Sequence, residues 1–228
     1  MTFLLLQLPD GGHAYAETNL DNFIVEPWNA ISSLAIVFPA VYWAIKTMKN
    51  IKDYAFIWFC IPLLFLNGLG STLFHAFRSS GFLLLMDVLP AALLTLGVSI
   101  YFWYRITKNV WVVALIILAA LFLRSIGFNF LSLSASTNIS YLVSGIVLFS
   151  PILIFLKRNS YFHANHIILS IASLIIALVF RTIDKEELLP LSMGTHFLWH
   201  ILCGFGGYFL ALYLYEIRTR EINLIKDN

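Results

Sequence analysis

His196 and His200 stand four residues apart in Gly194-Thr195-His196-Phe197-Leu198-Trp199-His200, so on a helix both imidazoles leave the same face and can reach one metal ion. His75 closes the stretch Asn67 to His75, in which Asn67, Ser71 and His75 recur every four residues on one face, and Asp87 follows in Met86-Asp87-Val88-Leu89-Pro90. Three neutral imidazoles with an open fourth position form a catalytic zinc arrangement, and zinc held that way lowers the pKa of its water to ~7. In this reading His75, His196 and His200 are the zinc ligands, Asp87 is the general base that holds the water, and Ser71 stabilises the developing oxyanion. The same residues also fit coordination by three histidines and Asp87 together, or a buried His/Asp hydrogen-bond network without metal. Ser71 beside Gly68 and Gly70 fits close helix packing equally well.

These residues lie in or beside apolar runs long enough to cross a bilayer. An ionisable group placed there costs ~2–3 kcal/mol or more unless it faces the protein interior and finds partners, so such residues point to function. The chain of 228 residues is 60% hydrophobic and 11% charged, which predicts a polytopic all-α membrane protein with the bilayer as its partner. A net charge of +2, scattered along the chain, speaks against nucleic acid. Runs of about 20 apolar residues predict a seven-transmembrane helix bundle with spans near 27–45, 54–75, 82–104, 110–128, 139–156, 165–180 and 193–216. The fourth carries Arg124, and its uninterrupted apolar part is only Val110 to Leu123. Around the bundle, residues 1–25 form an extramembrane segment and 218–228 a tail, with Met1 to Leu8 expected at the surface. Cys60 and Cys203 fall in apolar runs and are expected to be buried free thiols.

Counting lysines and arginines over the loops, with Arg124 assigned to the N-terminal side, gives four there and ten on the other side. By the positive-inside rule the C-terminus is cytoplasmic and the N-terminus outside or lumenal. His75, Asp87, His196 and His200 then share one depth, in the extracytoplasmic half. A metal-bound hydroxide there faces a lipid acyl group more readily than a soluble substrate, which suggests hydrolysis of a lipid amide or ester. The membrane is a bacterial inner membrane or an endomembrane such as ER or Golgi.

On the same side, before the first span, stand Glu17, Asn19 and Glu26, whose oxygens would suit a hard cation such as calcium. The competing reading, favoured by the residues alone, is a helix start, with acids near the positive end of the dipole and Pro27 in the first turn. Glu26, Asn29 and Ser33 share a helix face. Gly204 and Gly207 are expected as packing glycines, and His13, His163 and His166 receive no role.

Four segments taken together resemble the alkaline ceramidase family: Glu26-Pro27-Trp28-Asn29-Ala30-Ile31-Ser32-Ser33, Gly70-Ser71-Thr72-Leu73-Phe74-His75, Asp87-Val88-Leu89-Pro90, and Gly194 to His200. They occur in the family's order and span roughly 17–216 of the chain. The family sits in a wider group of seven-pass metal hydrolases that includes the adiponectin receptors. The resemblance implies zinc held by His75, His196 and His200, water contacted by Asp87, a hydroxyl of the Ser71 type nearby, and cleavage of ceramide to sphingosine and a fatty acid. Animal members also bind calcium through residues matching Glu17, Asn19 and Glu26. Here Ala14 replaces the family's Asp and Ala16 its Cys, which speaks against calcium and against a loop disulfide. The connection from His75 to Asp87 is about one residue longer than the family's.

Three functions therefore compete: a zinc-dependent amidohydrolase acting on a ceramide-like lipid, a seven-pass receptor or sensor with a structural zinc, and a transporter using His/Asp as a proton relay. The last is disfavoured because the polar residues cluster at one depth instead of forming a chain across the membrane.

Overall fold

Apolar runs of this length must satisfy their own backbone polar groups in lipid, and the helix is the structure that does so within one segment. The computed structural model describes Leu8 and residues 10–131, 133–185 and 189–227, and among them there is no strand. The helices are α1 (Pro27–Thr47), α2 (Ala55–Phe77), α3 (Gly81–Thr107), α4 (Val110–Phe130), α5 (Leu133–Arg158), α6 (Ala164–Lys185) and α7 (His196–Lys226). A single 3-10 turn, Met48–Asn50, follows α1. All seven helices are long and apolar enough to cross a membrane, α4 included despite Arg124. Met1 to Gln7 of the expected surface segment lie outside the described residues.

Several helix ends have an identifiable cause. Pro27 opens α1, where a missing N–H is harmless. The Glu17 carboxylate accepts from the N–H groups of Trp28 (2.6 Å) and Asn29 (3.0 Å), capping the helix from far upstream. Asn109 caps α4 through its own side chain. Span seven begins at His196 rather than 193, because Gly194 adopts φ +61 and the Asp184 carboxylate takes the Thr195 N–H (2.5 Å) and the His196 N–H (3.0 Å). That helix also runs on to Lys226, well past the apolar stretch.

The chain divides into two units, the first comprising residues 1–91 with 165–228, the second 92–164. In the first, α1 packs on both α2 and α7. Glycines set these contacts: a Cβ on Gly68 would lie 2.6 Å from the Val37 side chain and one on Gly204 2.3 Å from the Ala35 carbonyl oxygen, while between α2 and α3 one on Gly70 would lie 2.3 Å from the Met86 carbonyl oxygen. Ala35 and Met86 are each four residues before a proline inside their helix, Pro39 and Pro90, so their carbonyls have lost the usual N–H donor. Gly207 meets nothing nearer than Leu64 at 4.0 Å, so of the two expected packing glycines only Gly204 is in tight contact. Gly206, not singled out from the sequence, lies 3.1 Å by the same measure from Leu174.

In the second unit α4 packs on α5. Pro151 frees the Val147 carbonyl, which accepts from the Trp103 indole at 3.0 Å. Phe102, Ile152 and Phe155 form its buried core, while Leu115, Leu118 and Phe122 of α4 are exposed, as lipid-facing side chains are. Cys60 and Cys203 are free thiols, half-buried rather than buried.

Candidate metal centre

The last turn of α2 supplies His75 and the first two turns of α7 supply His196 and His200. Each can offer a nitrogen such that the three lie within 4.8 Å of one another, the one such group of histidine, cysteine and acid side chains among the described residues. All three rings are at most 2% exposed. His196 and His200 have ring centroids 4.6 Å apart, and His75 lies 5.3 Å from the first and 4.8 Å from the second. The four-residue spacing thus does what it predicts, and the end of a different helix completes the cluster.

Ring orientation comes from partners on the far nitrogens. The Nδ1 of His75 is paired with a Glu26 carboxylate oxygen in a buried contact. The Nδ1 of His200 lies 3.0 Å from the Ser32 hydroxyl and 3.2 Å from that of Ser33, beside the Asn29 carbonyl. Both rings therefore turn Nε2 toward the cluster. His196 is stacked on Tyr15, with centroids 3.8 Å apart and planes at 23°, and its Nδ1 is buried without a hydrogen-bond partner. Three buried imidazoles facing one another, their nitrogens within reach of a common point, are a donor set suited to a divalent metal.

Ser71 and Asp87 adjoin this cluster. Ser71 is 1% exposed, accepts from Ser33 at 3.0 Å, and lies on the side of α2 that faces Asp87. Asp87 is half-buried in the second turn of α3, and its backbone carbonyl takes a 2.5 Å hydrogen bond from Asn67 Nδ2. Asn67, Ser71 and His75 thus use their shared face for three contacts: Asn67 bonds α3, Ser71 meets Ser33 of α1, and His75 joins the cluster.

Glu17, Asn19 and Glu26 have separate duties. Glu17 caps α1. Asn19 Oδ1 closes a turn by accepting from the Asp21 N–H at 3.1 Å. Glu26 is fully buried: one carboxylate oxygen accepts from Thr18 (2.5 Å) and Arg78 (2.5 Å), the other pairs with His75 and lies 3.3 Å from Asn29 Nδ2. The helix-start reading accounts for Glu17, whereas Glu26 supports a histidine of the cluster.

Burial opposes charge on Glu26, but its hydrogen bond to His75 and the charges around it outweigh that and hold its carboxyl below the usual value. Asp10 behaves alike: burial is offset by Arg78 and by the Gly12 N–H, and the net shift is downward. Glu17 moves up instead, because burial and the nearby Glu26 charge outweigh its two backbone donors.

Sequence reasoning missed Asp10, Tyr15, Arg78 and Asp184 as parts of this region. Asp10 takes Arg78 Nε at 2.6 Å, and Asp184 ties Ala16, Thr195 and His196 together. An acid at the end of one span, 12 residues ahead of the histidine that opens the next, is the signal that could have flagged Asp184, though Glu186 and Glu187 beside it dilute that signal. A scan of the chain against protein-family models finds no match, and a search among curated proteins finds none.

Proposed function

We propose that this protein is a zinc-dependent intramembrane hydrolase that cleaves the amide bond of ceramide or a related lipid, releasing a long-chain base and a free fatty acid, as members of the alkaline ceramidase family do. The observation that carries the reading is the juxtaposition of three buried imidazoles with the Ser71–Asp87 pair in a chain of seven membrane-length helices. When bound by His75, His196 and His200, zinc supplies a Lewis acid and a water of lowered pKa.

The chain's own residues do the rest. Asp87 accepts the proton of the attacking water and returns it to the leaving amine nitrogen, a role for which a carboxylate near the cluster is suited. The Ser71 hydroxyl, fixed by Ser33, orients that carboxylate or donates to the oxygen that becomes negative when the amide carbon turns tetrahedral. The Glu26 contact holds His75, and the Ser32 and Ser33 hydroxyls with the Asn29 carbonyl hold His200, so that the imidazoles do not reorient during turnover. In the orientation given by the distribution of lysines and arginines, this chemistry faces the extracytoplasmic or lumenal side.

The test is metal content of the detergent-purified protein together with fatty-acid release from a panel of ceramides and glycerolipids. About one zinc per chain and ceramide cleavage are expected, with His200→Ala losing both and Asp87→Asn losing cleavage while keeping metal. Metal without turnover of any lipid would indicate a receptor or sensor with a structural zinc, and absence of metal would sink the site.

A further inference from the structure

Arg78 has no part in that chemistry, yet it lies three residues beyond His75 with its side chain wholly buried. It follows α2 at φ 46, ψ 31, the left-handed conformation that glycine adopts most easily at this place after a helix. A residue with a Cβ is strained there unless its surroundings hold it, and here the side chain does the holding. Nε and Nη2 reach the two Asp10 oxygens at 2.6 and 3.1 Å, and Nη1 reaches Glu26 Oε1 at 2.5 Å. The guanidinium also lies 4.5 Å from the Phe74 ring centre and 5.9 Å from that of Tyr15, the ring stacked on His196.

This arrangement leads directly to a metal ligand. Glu26 offers Oε1 to Arg78 and Oε2 to His75 Nδ1, so the carboxylate is a rigid bridge between a fixed cation and an imidazole. Its remaining partners are the Thr18 hydroxyl and the Asn29 amide, neither of them charged. Asp10 matters because it takes the other edge of the guanidinium, and a planar fork gripped on two edges has no rotational freedom left.

Resting on the zinc-site reading above, we propose that Arg78 is a positioning residue for the metal centre: a cation carried by the chain itself that, seated between Asp10 and Glu26, fixes Glu26 as the partner of His75 and so aims His75 at the other two histidines. The acid that from sequence suited an external hard cation thus takes its positive charge from within the fold.

The experiment measures metal affinity of the full chain in detergent, by competition with a chelator, using zinc and using cobalt for its spectrum. Wild type, Arg78→Met, Arg78→Lys, Glu26→Gln and the Arg78→Met/Glu26→Gln double variant are compared. Losing the group that orients a metal-binding histidine weakens metal by about 10–100-fold, so Arg78→Met and Glu26→Gln should each fall in that range. Because Arg78 acts through Glu26, the double variant should bind no more weakly than the poorer single variant. Arg78→Lys keeps the charge but cannot grip Asp10 and Glu26 at once, and should lose several-fold with an altered cobalt spectrum even if Arg78→Met does not fold. Wild-type affinity in Arg78→Met or Arg78→Lys, or losses that multiply in the double variant, overturn the proposal. A wild-type protein that binds neither metal overturns the zinc-site reading itself, whereas wild-type binding untouched by these variants overturns this inference alone.

Discussion

Gly204→Ala changes one hydrogen for a methyl group one turn after His200, and its effect can be worked out from distances. The new Cβ would sit 2.3 Å from the Ala35 oxygen and 2.8 Å from the Ala35 carbonyl carbon, where 3.4 Å marks ordinary contact. Both obstacles are backbone, so no side chain can swing aside, and α1 and α7 must part locally by about 1 Å. His200 is held from α1 at 3.0 Å by Ser32 and 3.2 Å by Ser33, distances that an added ~1 Å carries beyond hydrogen bonding. Overpacking of this kind costs about 1–3 kcal/mol of stability, and a metal ligand freed from its partner weakens metal by about 10–100-fold. The assay is chelator competition and thermal melting in detergent, with Gly207→Ala as the control. Gly207 is on the same helix but has nothing nearer than 4.0 Å, so its methyl group should leave affinity unchanged and, by helix propensity, stability equal or slightly higher. If Gly204→Ala melts and binds metal like Gly207→Ala, the idea that the α1/α7 spacing sets the His200 position is wrong.

Two further outcomes follow from the groups around the centre. Asp184→Ala removes the acceptor for the N–H groups at the start of α7 and should destabilise by about 1–2 kcal/mol, as loss of a helix cap does, with metal binding weakened because His196 is one of the donors; a melting curve equal to wild type would refute the capping role. Asp10 has a folded-state pKa below its ordinary 3.8, so its contribution is present in full above that value and lost as pH falls through the depressed one. The melting-temperature difference between wild type and Asp10→Asn should therefore be constant above pH 3.8 and shrink below it; a difference that grows on acidification would contradict the sign.

The spans and the histidine cluster were legible because each rests on a local rule. Apolar runs of about 20 residues give helices in lipid, and four-residue spacing puts His196 and His200 on one face. His75 joined them because it ends one span as they begin another. The supporting groups obey no such rule: Asp10 and Arg78 are 68 residues apart, and Ser33 and His200 are 167 apart, so only the path of the chain brings them together. Glu26 shows the ambiguity well. An acid before a helix reads as a dipole partner or a cation ligand, yet here Glu17 serves the helix and Glu26 serves His75. Gly204 and Gly207 look equivalent in the sequence, and only the position of Ala35 separates them.

The pairing of Gly204 with the carbonyl that Pro39 leaves open ties the first span made to the last. During synthesis α1 enters the bilayer six helices before α7 does, and until then the Ala35 oxygen lacks the covering that Gly204 gives it. Gly204, lacking a side chain, is what lets α7 pack directly on that carbonyl, so the close α1/α7 contact forms only once α7 is in place. The same closure brings His196 and His200 to His75. On the zinc-site reading, metal capture thus waits for α7, because a nascent or truncated protein ending before it would carry one histidine of the cluster.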